Sequence, residues 1–375
     1  MSEPFELAEA FIDYAVEKHG DEIGIIFYYG SYATGTAGRE SDLDLIYVPD
    51  DMEETASLYT SFVHDGVGYE FWPMSWSRLE LIASANEHWP VAAAIIAYGN
   101  VLWHRSDADL ERFNRLKEQV ERLRAPDNRR LMVGKALDAY GNVLNDLGRL
   151  RLEALGGDVS GSRWLAVSVM ISCLECLGLA NQTYFRKGWG SNYDEVLALK
   201  DKPSRLEEYV ETIVYTADLE KLLVAAEGLT RDTRTVLLLA QRETASPTGI
   251  RNELVDYYPG IREYVNKVKT AALRGDTVKA VVSAGMIQDE LTRMLSLSEA
   301  GISHQGFNLP SELRKAYSEH GFPDLMALEP KPSALIEAAE RLDAVSRRLY
   351  NEKNLSLNAL EGIEDLRRLI ERRDE

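Results

Sequence analysis

The sequence predicts an α+β protein in which an N-terminal mixed sheet with helices is followed by an all-α region. Strand-like runs are confined to about the first 105 residues, at 24–29, 42–48 and 67–73. From Asp107 onward apolar positions fall at helical spacing instead, first at Leu110, Phe113, Leu116, Val120 and Leu123. Short segments of this helical part then recur in order beyond residue 250, the mark of a duplicated bundle. Three domains follow: a mixed α/β domain over 1–105, a helical bundle over 106–245 and a second bundle over 250–375.

Taken in order, Phe5, Leu7, Ala8, Phe11, Ile12, Ala15 and Val16 place a helix over 5–18, stopped by His19-Gly20. After the strands, Pro73 and Ser75 open a helix in SWSRLELIASA, and PVAAAIIAYGNVLWH reads as a helix with a short strand near 101–104. Pro126-Asp127 starts a long helix that Gly156-Gly157 ends, and further helices are expected at about 161–185, 204–214 and 217–242. GWGSNYDE, at 188–195, is a loop leading into an N-cap. TASPTG, at 244–249, has the composition of a linker. Beyond it, ALGGD at 154–158 has a counterpart in ALRGD at 272–276, VSVMI at 167–171 in VSAGMI at 282–287, and AAEGLTRDTR at 225–234 in AAERLDAVSR at 338–347.

Composition narrows the function. The formal charge of −19 and pI near 4.9 argue against a nucleic-acid partner, whose phosphates call for basic surface. An acidic surface favours a cationic substrate. No stretch is read as a membrane span, and MSEPFELAEAF lacks the regions of a signal peptide, so a cytoplasmic protein without a membrane partner is expected. The two cysteines, Cys173 and Cys176, sit in an apolar helical segment and read as core thiols rather than a zinc or redox site. The six histidines are scattered and lack metal-ligand spacing. Trp72, Trp76 and Trp89 read as core residues before they read as walls of a nucleobase pocket.

The chemistry concentrates in IIFYYGSYATGTAGRESDLDLIYV, residues 25–48. An apolar run breaks at Gly30-Ser31, crosses a small-residue loop and re-enters a strand carrying Asp42 and Asp44. Residues two apart on a strand share a face, so both carboxylates can serve one pair of divalent cations. Magnesium favours oxygen ligands shared with nucleotide phosphates, and two such ions suit phosphoryl or nucleotidyl transfer. Gly30 allows close approach to phosphate, and Ser31 can start a helix whose free N–H groups face the same anion. In VGYEFWPMSW, Glu70 stands alone among apolar neighbours. A carboxylate so placed calls for a cation or a donor, as a third metal ligand or as a proton acceptor.

With Gly-Ser, a ten-residue gap and Asp-Leu-Asp in hand, the chain resembles the polymerase-β-like nucleotidyltransferase superfamily. Within it the chain is most similar to kanamycin nucleotidyltransferase and related aminoglycoside nucleotidyltransferases, over about residues 10–240. GS…DLD, YEFWPMS, HWPVAAAI, LGLANQTYF and LEKLLVAAE carry the resemblance, which does not extend to 250–375. It implies a catalytic domain at 1–105 and a helical domain that completes the active site. It also implies a carboxylate in that domain acting as general base on the acceptor hydroxyl, at the position of Asp138 in KALDAYGN. Asn142 stands where the family carries a lysine one turn later, and Thr34 where it carries a basic residue shortly after Gly-Ser. Arg39, in the same loop, is the candidate for one phosphate contact.

The expected function is transfer of a nucleoside monophosphate from ATP or another nucleoside triphosphate to a hydroxyl of a small molecule, with two Mg2+ ions and release of pyrophosphate. By resemblance the acceptor class is an aminoglycoside or similar antibiotic. Asp42, Asp44 and Glu70 are the expected metal ligands, Gly30, Ser31 and Arg39 the phosphate contacts, and Asp138 or Glu70 the base. A monomer and a homodimer both remain open. The alternatives are a regulatory enzyme that adenylylates a protein, as in toxin–antitoxin systems, and a non-catalytic nucleotide-sensing scaffold.

Overall fold

IGIIFY carries almost no alternation because β1 (Ile23–Tyr28) is covered on both faces, and Ile23 to Phe27 are buried accordingly. In the computed structural model, which describes residues 3–371, β1 pairs antiparallel with β2 (Leu45–Pro49) and with β5 (Asn100–His104). β3 (Thr60–His64) and β4 (Val67–Pro73) complete a five-stranded mixed sheet of order β3-β4-β2-β1-β5, in which β4 runs parallel to β2. One face packs under α1 (Glu3–His19), where Ala8 and Ala15 meet Ile23, Ile26, Leu45, Tyr47 and Phe71. The other face meets α5 (Asp107–Leu123) through Phe27 and Phe113, whose rings lie 4.7 Å apart.

Two strand expectations need correction. β2 begins at Leu45 rather than residue 42, so Asp42 and Asp44 precede the strand. The chain already runs beside β1 there, since the Tyr29 amide donates to the Asp44 carbonyl at 3.1 Å. β3 had no counterpart in the sequence reading. TSFVH is only half-buried at alternate positions, as suits an edge strand, and Asp65 and Gly66, both at positive φ, form the tight turn into β4.

Between the strands lie α2 (Gly30–Thr34), α3 (Trp76–Ala83) and α4 (Trp89–Ala97). Ser75 caps α3, its hydroxyl accepting from the Arg78 amide. The helical region is α6 (Arg129–Leu155), α7 (Val159–Ala180), α8 (Tyr193–Leu197), α9 (Leu206–Tyr215) and α10 (Leu219–Glu243). α7 packs on α6, α10 and α4. Its contact with α4 depends on Gly178, where a Cβ would stand 2.7 Å from the Pro90 ring. The sequence reading placed no membrane-length apolar segment, but α7 reaches that length and hydropathy. Its mean hydropathy reflects helices on several sides, and 56% of its most apolar window is buried within the protein.

The chain divides into two compact units at Thr244/Ala245. The second contains α11 (Ile250–Leu254), α12 (Tyr258–Leu273), α13 (Thr277–Ala300), α14 (Pro310–Glu319), α15 (Pro332–Glu352) and α16 (Ile363–Glu371). Its core is set by α12, α13 and α15, and around it Asp343 accepts from Tyr258, Arg262 and Arg347. Each unit holds a helical hairpin turned by Gly-Asp. Asp158 caps α7 through the Ser160 amide, and Asp276 caps α13 through the Lys279 amide.

Candidate active site

The register of the sheet collects the acidic residues. Leu45 pairs with Tyr28 on one side and with Phe71 on the other. The residues next to these therefore occupy neighbouring register positions: Tyr29 just after β1, Asp44 just before β2, and Glu70 in the middle of β4. Leu43 is fully buried with Leu45 and Tyr47 in the core under α1, and Tyr69 and Phe71 belong to the same core. Alternation from those residues turns Asp42, Asp44, Glu70 and Trp72 to the opposite face.

Gly30 stands just beyond the end of β1. At φ +73 it occupies a backbone region that favours glycine, and a Cβ there would lie 1.9 Å from Oδ2 of Asp44. α2 begins at Gly30 itself, so Ser31 falls within the first turn rather than capping it. This corrects the expected helix start, because the positive φ of Gly30 turns the chain directly out of β1. Arg39 lies exposed in the following loop.

Asp44 is a strongly perturbed carboxyl. Burial, reinforced by the negative charge of Asp42, pushes it up to about 7, against a hydrogen bond from the Tyr29 hydroxyl that favours the ionised form. Tyr29 in turn accepts from the Trp72 side chain, and burial next to Asp44 pushes its phenol far above the ordinary range. Tyr29 and Trp72 thus position Asp44, roles that the sequence reading missed. The signal was their place in the chain, Tyr29 directly before Gly30 and Trp72 two residues after Glu70 on the same face of β4. Glu70 accepts a 2.7 Å bond from the Tyr59 hydroxyl.

These residues fit a divalent cation. A buried carboxyl raised by its neighbour is a donor pair short of positive charge, and a glycine leaves space against it. Among the described residues no three His, Cys, Asp or Glu side chains form a ready-made cage. Asp42, Asp44 and Glu70, the expected metal ligands, are therefore not gathered into one such group.

Asp138 lies elsewhere. It lines a cleft of about 390 Å³ on α6 with Asn86, His88, Lys135 and Glu175, and none of Asp42, Asp44 and Glu70 lines that cleft. A neighbouring cavity of about 600 Å³ shares Glu87, His88, Asn142 and Glu175 and adds Asp146 and Arg78. Four carboxylates, Glu87, Asp138, Asp146 and Glu175, therefore border these two neighbouring cavities. His88 contacts Glu175 at 3.3 Å, and Lys135 donates to the Asn86 side chain. Thr34 lacks the basic side chain expected near the phosphate loop, but the Arg186 guanidinium reaches the Thr34 carbonyl at 3.4 Å from 152 positions away in the chain. No local pattern could have shown this contact.

A sheet end holding clustered carboxylates beside a glycine turn, with a helical bundle packed on the same unit, defines a nucleotidyltransferase fold. Residues 9–95 match the nucleotidyltransferase domain and residues 110–243 match the KNTase C-terminal domain. The chain belongs to the polymerase-β-like nucleotidyltransferases of the kanamycin nucleotidyltransferase-like type. Among solved structures it is similar to a nucleotidyltransferase-like protein from Exiguobacterium sibiricum 255-15. The identity is 11% and the TM-score 0.37, over 64% of this chain and 78% of that one. No curated protein matches it.

Proposed function

We propose that the protein is a magnesium-dependent nucleotidyltransferase that moves a nucleoside monophosphate from ATP to a hydroxyl of a small, cationic acceptor of aminoglycoside type. The observation that carries this reading is the contact of Gly30 with Asp44 beside Asp42, with Glu70 at the neighbouring register position of β4. Asp42 and Asp44 hold magnesium, with Glu70 as third carboxylate. Bound there, magnesium supplies charge neutralisation for the phosphates and polarisation of the α-phosphate.

The chain's own groups do the rest. Gly30, Ser31 and the α2 backbone bind the β and γ phosphates, with Arg39 and Arg186 as the basic side chains nearest that loop. The acidic depression lined by Asp138, Glu175 and Glu87 holds the acceptor's ammonium groups. The acceptor oxygen forms a bond to the α-phosphorus, the bond from that phosphorus to the bridging oxygen breaks, and pyrophosphate leaves. The hydroxyl proton passes to Asp138 or Glu70, either of which needs only to be ionised and within hydrogen-bond reach. Residues 250–375 are read as a second copy of the bundle, a reading that the matching Gly-Asp hairpins support.

Pyrophosphate release with magnesium and ATP, measured across a panel of aminoglycosides and lincosamides, tests the proposal. Drug-dependent release that Asp44→Asn abolishes is the expected result. Silence across the panel with ATP still bound would overturn the small-molecule acceptor in favour of a protein target.

A further inference from the structure

The turn that opens GWGSNYDE brings a tryptophan to the cavity of about 600 Å³. The Ser191 amide donates to the Gly188 carbonyl at 3.1 Å, and Gly190, third in the turn, lies at φ +90. Trp189 takes the second position, partly exposed, its indole 5.6 Å from the buried Phe185 ring. The chain leading into the turn is tied down. The Phe185 amide donates to the Pro90 carbonyl at 2.6 Å, and the Arg186 amide to the Glu195 carboxylate at 2.8 Å.

The cavity mixes two kinds of lining. Glu175 of α7 and Asp146 of α6 bring largely buried carboxylates, Asp146 held by the Ser172 hydroxyl at 3.0 Å and by Arg149 at 3.4 Å. Trp189, with Val91 and Ile95 of α4, adds apolar surface. A ligand that satisfies both needs ammonium groups and an apolar face. A rigid amino-sugar ring has both, since its C–H bonds gather on one side, whereas a linear polyamine has the charge but no such face. The cavity also lies close to the phosphate loop. Arg186 reaches the Thr34 carbonyl, and the three residues from there to Trp189 span at most about 11 Å.

We propose that Trp189 is a specificity-determining residue for the acceptor, its indole covering the C–H face of an amino-sugar ring while Asp146 and Glu175 take the ammonium groups. The inference rests on the assignment of this acidic space to the acceptor.

Calorimetric titration of the full chain with kanamycin, a ring-bearing tetra-amine, and with spermine, a linear one, separates the indole's contribution from that of charge. Trp189→Ala should weaken kanamycin about tenfold and spermine less than about twofold, and Trp189→Phe should recover most of the kanamycin affinity. Asp146→Asn should weaken both probes. Trp189 is partly exposed in a loop, so its variants should fold, which melting curves verify. Kanamycin binding that is absent from the wild type, or indifferent to Trp189→Ala, would overturn the proposal, as would equal loss of both probes in Trp189→Ala. Pyrophosphate release by the wild type is measured apart from these ratios. Release alongside kanamycin binding indifferent to Trp189→Ala would leave the transfer reaction standing and remove Trp189 from recognition, and the expected ratios without release would do the reverse.

Discussion

A Cβ placed on Gly30 would lie 1.9 Å from Oδ2 of Asp44, so the first residue of the phosphate loop and the second carboxylate of Asp-Leu-Asp cannot both keep their places if position 30 carries a side chain. Gly30→Ala must displace the carboxylate or the loop, and it also strains a backbone at φ +73. Activity should fall by about 100-fold or more, the scale of a misplaced reacting group. Stability should fall by only about 1–2 kcal/mol, as for backbone strain at one residue. Steady-state kinetics and thermal melting separate the two effects.

Asp44→Asn should abolish turnover yet stabilise the metal-free protein. Asp44 titrates near 7 in the fold against 3.8 for an ordinary aspartate, because burial and Asp42 disfavour its charge. The folded state therefore holds more protons than the unfolded one between those values, and wild-type stability falls as pH rises from about 4 to about 7. The variant lacks that loss. At pH 8 without magnesium its midpoint should exceed that of wild type by roughly 2–4 °C for each 1 kcal/mol of relieved charge. The gap should narrow toward pH 5. A gap that is constant with pH would refute the charge argument.

Tyr29→Phe removes the hydroxyl that donates to Asp44 and accepts from Trp72 but keeps the partly buried ring. A hydrogen bond to a charged group contributes about 1.5–3 kcal/mol, so kcat/KM should drop by about 10- to 100-fold. If Tyr29 acts by positioning Asp44, the magnesium requirement should rise in parallel. An unchanged magnesium dependence would leave Tyr29 with a packing role alone.

Arg186→Met tests whether a residue of the helical region serves the phosphate loop. The side chain is exposed and reaches the loop at the Thr34 carbonyl, so melting should shift by less than about 0.5 kcal/mol equivalent. KM for ATP should rise about tenfold with kcat nearly constant, the signature of lost ground-state binding.

Cys173 and Cys176 should be silent toward thiol reagents in the native state. Both are fully buried, and burial pushes the Cys173 thiol up to about 12. Ellman's reagent at pH 8 should find no thiol until the protein unfolds, then two per chain. Rapid labelling of the native protein would show that α7 opens readily.

The α+β class and the nucleotidyltransferase chemistry were legible in the sequence because both rest on local order. Gly-Ser, the ten-residue gap and Asp-Leu-Asp lie within one short stretch, and helical periodicity from Asp107 onward repeats every few residues. Only tertiary structure decided which groups meet. The parallel register of β2 and β4 sets Asp44 beside the Glu70 position, Tyr29 reaches Asp44 across a loop, and Arg186 reaches Thr34 from the helical region. Asp138 shows the same division, since its helix was readable while its place in an acidic cleft with Glu175 depends on how α6 and α7 pack. Side-chain periodicity follows from the backbone's own geometry, whereas contacts between distant residues exist only once packing offsets the entropy of closing the chain between them.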